Sequence, residues 1–127
     1  MDVKEIEVDT VPSVLSASAL IGTKVQNPRG DDLGRIEDLI LDQDVGCVAY
    51  AVMSSGGFLG LGDRRFAIPW HAVKYESRKK CFVLDIDRQM LEHAPGFNGE
   101  SRLDRIDAEE LRGIYIYYGQ SPYWEEP

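Results

Sequence analysis

Two cysteines and two histidines in 127 residues leave little material for a disulfide framework or a metal centre. Cys47 and Cys81 are isolated thiols, suited to a reducing compartment and to use as small buried hydrophobes. No C-x-x-C or H-x-x-x-H spacing fixes two of Cys47, Cys81, His71 and His93 on one local element, which argues against zinc. Long apolar runs are missing too: nothing approaches the roughly 18 residues a membrane span requires. The opening MDVKEIEVDT has acidic residues where a secretory signal would carry a basic start and an apolar centre, so the expectation is a cytoplasmic chain. Positive charge is the minority, with 14 Lys and Arg against 22 Asp and Glu and a net charge of −8. Such a chain is repelled by phosphate backbones and anionic headgroups, so nucleic acid is not expected as a partner. The short basic runs Arg64-Arg65 and Arg78-Lys79-Lys80 fit a solvated loop and a hairpin turn.

Catalytic constellations are equally scarce. Ser54-Ser55 lacks the nucleophile-elbow surroundings. Glu37 and Asp38, adjacent on a strand, should point to opposite faces and fail to converge on one substrate atom. Asp42 and Asp44 suit a turn held by side-chain to backbone bonds, with Ca²⁺ as the minor alternative, since no further ligand follows at loop spacing. Gly56, Gly57, Gly60 and Gly62 invite a phosphate-cradle reading, but a strand follows them where that use needs a helix N-terminus. His71, after Pro69-Trp70, is expected in a loop or at a strand end. The chain is accordingly expected to be no enzyme and to carry no cofactor.

What is present is a series of short β-rich runs punctuated by Gly, Asn and Asp. Asn27-Pro28-Arg29-Gly30 is a turn, and strands are predicted at 23–26, 34–42, 47–54, 64–68, 72–76 and 81–85, the second with a bulge near Gly34. Ser16 to Gly22 forms one helical turn with a Ser cap and a Gly stop, and a second short helix spans 87–93. Phe97 to Ser101 is a connector. Asp107-Ala108-Glu109-Glu110 then caps a helix that stops at Gly119, whose Leu111, Ile114, Tyr115 and Tyr118 share one face. A chain of this length makes one domain burying roughly two thirds of its unfolded surface. The divisions are an arm over 1–14, in which Ile6, Val8 and Val11 alternate and which is read as an edge strand or a disordered lead, a barrel over 15–95 and an extension over 96–127.

Between about Ser16 and Pro95, the segments LIGTKVQN, LGRIEDLILD and GGFLGLG followed by FAIPW resemble the PRC-barrel family, named for the cytoplasmic domain of the photosynthetic reaction-centre H subunit and found also in a ribosome maturation factor. The resemblance implies a mainly β fold, a small closed or partly open six-stranded barrel with a C-terminal helical extension, and a role in assembly or interaction. Closure would remove the unpaired edges an open sheet exposes. The photosynthetic member joins its barrel to a membrane helix for which this sequence has no counterpart.

The expected function is therefore a protein-interaction or assembly module, working by self-association, with a homodimer favoured, or by docking to another protein. The alternative is a small-ligand or sensor barrel, disfavoured because so small a barrel fills its interior with side chains. Interface anchors are sought among large apolar residues: Phe58, Leu59 and Leu61 in the glycine-rich loop, and Tyr115, Tyr118, Tyr123 and Trp124 in the extension. The amphipathic helix requires a partner surface, either its own barrel or a second subunit.

Overall fold

The computed structural model describes residues 14–55, 64–98 and 105–125. The arm at 1–13 and the loop carrying Phe58, Leu59 and Leu61 lie outside those residues. Among the described residues seven strands form one sheet in the order β5-β6-β1-β2-β3-β4-β7. They are β1 (Lys24–Gln26), β2 (Asp32–Asp42), β3 (Cys47–Ser54), β4 (Arg64–Pro69), β5 (Val73–Glu76), β6 (Cys81–Leu84) and β7 (Phe97–Asn98). Three α-helices accompany them among the described residues: α1 (Ala17–Leu20), α2 (Arg88–Glu92) and α3 (Ala108–Tyr117). Neighbours pair antiparallel except β1 and β6, which run parallel with Val25 beside Phe82. Among the described residues β5 and β7 do not meet, so the barrel is the partly open form. The expected connector at Phe97 begins with strand β7, hydrogen-bonded to Arg64 and Arg65 of β4.

The curvature has a local origin in β2. Against β1, Val25 faces Gly34 while Gln26 faces Asp32, leaving Leu33 as an extra residue beside the glycine. Against β3, Ile36 faces Met53 and Asp38 faces Val52, leaving Glu37 extra. Each bulge bends the strand and sharpens its twist. Gly34 has φ +150°, and a Cβ placed there would collide with the carbonyl oxygen of Ser54 on β3, so glycine is required by both conformation and space.

Bending creates a concave face lined by Val25, Leu33, Ile36, Met53, Phe66, Ile68 and Phe82, with Leu91 of α2 completing the cluster. Each fully buried side chain of this kind contributes about 1.5–3 kcal/mol relative to exposure. The convex face of β3 and β4 is buried as well. There Ala49, Tyr50, Val52 and Ala67 meet Leu111, Ile114 and Tyr115 of α3. Strand β3 reads CVAYAVMS because both of its faces are covered, which replaces alternation by an unbroken apolar run.

The helix ends follow their caps. Ser16 Oγ accepts from the Ala19 N–H at 3.1 Å, Asp87 Oδ1 from Met90 at 2.7 Å and Asp107 Oδ1 from Glu110 at 2.8 Å. Gly22 and Gly119 supply positive φ at the exits of α1 and α3. Arg64 ties α2 to the sheet, donating to the carbonyl oxygens of Glu92 at 3.3 Å and Ala94 at 3.1 Å while its guanidinium lies 5.1 Å from the Phe66 ring centroid.

Candidate interaction surfaces

The extension residues singled out for an interface turn inward. The apolar face of α3 seats on its own sheet, which decides between the two docking alternatives for that helix. Tyr115 is 2 % exposed and donates its hydroxyl hydrogen bond to the Ala49 carbonyl. Its ring meets Trp124 edge-on at 5.2 Å and Tyr123 at 6.1 Å. Burial, with the nearby Cys47 as a lesser cause, raises the Tyr115 phenol to about 12. Tyr118 packs against both apolar clusters, its phenol raised mainly by burial, and its hydroxyl has no hydrogen-bond partner among the described residues. Tyr115 and Tyr118 therefore hold α3 to its own sheet, the first of the two docking surfaces expected for that helix, and are not presented outward as interface anchors.

The half-buried Tyr123 and Trp124 close the tail over this assembly. The Tyr123 hydroxyl donates to Asp42 Oδ2 at the end of β2, and Arg112 of α3 grips Glu125 through its Nε at 2.9 Å. Asp42 also accepts from the backbone N–H groups of Asp44 at 3.0 Å and Val45 at 3.2 Å, the turn role anticipated for it. The Tyr123 bond first, and the Val45 bond next, hold the Asp42 carboxyl below its ordinary value; burial and then the same bond raise the Tyr123 phenol. Glu37 and Asp38 are both exposed, because the bulge at Glu37 breaks the alternation assumed for them. They still do not converge on a shared atom: Glu37 pairs with Arg65 at 2.9 Å and Asp38 accepts from the Leu39 N–H at 2.8 Å. Among the described residues no three His, Cys, Asp or Glu side chains are gathered as a metal-binding group.

A second region went unmarked in the sequence. Where the barrel stays open, a groove of about 760 Å³ runs between β5 and the start of β3. Leu20, Trp70 and Phe82 are among its lining, with Gly46 and Val48 from the β3 side, Val73, Lys74 and Tyr75 from the β5 side, and Val14, Leu15 and His71 at its margins. Val14 is 82 % exposed and Leu15 51 %, with Tyr75 at 36 %, unusual solvation for large apolar groups gathered in one depression. His71 sits in a 3₁₀ turn, Trp70–Ala72, between β4 and β5, in keeping with the loop or strand-end position expected of it. The available signal was the residue types of Val14, Leu15 and Tyr75; what gathers them is the strand order, which places β5 at an edge.

A bent, bulged sheet left open at one side, filled by side chains and closed on its convex face by a C-terminal helix, defines a small barrel-like β module. The PRC-barrel domain family matches residues 12–91, and the chain belongs to that family. PRC-barrel domains are in general non-catalytic modules. No curated protein matches the chain. Among the described residues no helix is long and apolar enough to cross a membrane.

Proposed function

We propose that this chain is a non-enzymatic protein-interaction module of the cytoplasm, acting by self-association, with a dimer as the favoured form, or by docking to another protein. The observation that carries the reading is the open seam of the barrel, where Val14, Leu15 and Tyr75 remain exposed beside an apolar groove while the concave interior is filled. A filled interior supports an outer surface as the working part and speaks against the small-ligand barrel. Tyr123 and Trp124, half-buried on the tail, stay in the proposal as interface residues, as do Phe58, Leu59 and Leu61, which lie outside the described residues.

Sedimentation velocity over a wide concentration range tests self-association. Site-specific photo-crosslinking in the host, from positions around the whole surface, tests docking. A concentration-dependent oligomer, or one protein crosslinked reproducibly from neighbouring positions, supports the proposal. A monomer at every concentration with no crosslinked protein from any position overturns it.

A further inference from the structure

We propose that the open edge of β5 and the groove beside it form a docking site for an extended acidic peptide segment of a protein partner, added to the sheet as an extra strand. The inference rests on the interaction-module reading and gives it a location and a partner chemistry. Strand β5 pairs with β6 along Val73–Glu76, and among the described residues its other edge carries no ladder. Four residues expose about 13 Å of unpaired main chain, the template on which strand addition operates. The groove flanks that edge, so alternate side chains of an incoming strand would find apolar contacts at Leu15, Val48 and Tyr75.

Charge selects the partner. Lys74, Arg78, Lys79 and Lys80, four of the chain's 14 basic residues, fall on β5 and the turn after it, with Glu76 the lone acidic residue among them. All four are exposed, and none has an ion-pair partner among the described residues. A basic patch on a chain of net charge −8 attracts acidic segments locally. Lys74, an exposed lysine on the open edge, disfavours edge-to-edge pairing of β5 with a second β5. A nucleic acid would satisfy the cations and leave both the apolar groove and the main-chain edge unused.

The test uses the full chain and a fluorescein-labelled ten-residue peptide of alternating valine and glutamate, with a valine–lysine peptide as control. Anisotropy should show binding of the first alone, weakened at least about tenfold on raising salt from about 50 mM to about 500 mM. Arg78→Glu with Lys79→Glu, both on an exposed turn, should weaken it by about tenfold. Leu15→Asp should weaken it too, with circular dichroism unchanged in each variant. Amide shifts in nitrogen-15 spectra should centre on Val73–Glu76.

Absence of binding, or shifts centred elsewhere, overturns the inference. So does binding that appears only after Glu5→Lys with Glu7→Lys, which would assign the site to the chain's own acidic beginning. Shifts at β5 on concentrating the chain alone would assign it to a second copy, and capture of a single-stranded RNA probe at this edge in place of the peptide would assign it to nucleic acid; each overturns it. If the peptide fails while an oligomer or a crosslinked protein is found on another surface, this inference falls and the interaction-module reading stands.

Discussion

Replacing Tyr115 separates a role in the fold from a role between subunits. The ring is almost wholly buried between the sheet and the tail, and truncating a buried large aromatic side chain costs about 3–5 kcal/mol through lost burial and the cavity left behind. Tyr115→Phe keeps the ring and removes only the hydrogen bond to the Ala49 carbonyl, for about 1 kcal/mol. Urea denaturation should therefore show a small fall in midpoint for Tyr115→Phe and a large one for Tyr115→Ala. For a chain of this size, with about 4 °C lost per kcal/mol, the alanine variant should melt about 15 °C lower. Sedimentation velocity on the same samples supplies the second readout. If Tyr115→Ala retained wild-type stability while converting an oligomer into a folded monomer, the inward placement of α3 would be refuted.

Gly34→Ala should destabilise the chain by more than about 2 kcal/mol in the same denaturation assay, because the new methyl group meets the Ser54 carbonyl and the residue is held at φ +150°. Asp107→Ala, which removes the acceptor for the Glu110 N–H, should cost about 1 kcal/mol by thermal melting. The folded carboxyl of Asp42 is held below its unfolded value, so its contribution is present at neutral pH and lost as pH falls through the lowered folded value. Near-ultraviolet circular dichroism from about pH 6 to about pH 2 should thus show an acid-side loosening of the Tyr123–Trp124 tail, and Tyr123→Phe should reduce that dependence.

Local chemistry was legible where it was self-contained. Ser16 and Asp107 each cap a helix because a short polar side chain needs only the next turn of its own backbone. Gly34 marked a bulge because its defect is local, and the family segments conveyed the overall barrel. The convex-face packing depended on a distant pairing, between Tyr115 and Ala49, and the helix pattern alone left a second subunit equally suitable. Phe97–Asn98 carried no strand signature of its own, since two residues are held there by β4. The seam was hidden for another reason: Lys74 and Tyr75 look like any strand pair until the sheet order makes β5 terminal.

The parallel pairing of β1 with β6 also bears on how the chain assembles. Strands β2, β3 and β4 follow one another as a meander and gain their contacts early at small loop-closure cost, whereas Val25 must wait for Phe82, far along the chain. Substitutions in the meander, such as Val52→Ala, are expected to slow folding, while Phe82→Leu should chiefly speed unfolding, a contrast that stopped-flow kinetics would measure. On this route the last pairing joins the β5–β6 hairpin to the meander, and until it forms both Val25 and the hairpin's apolar face lie open to other chains.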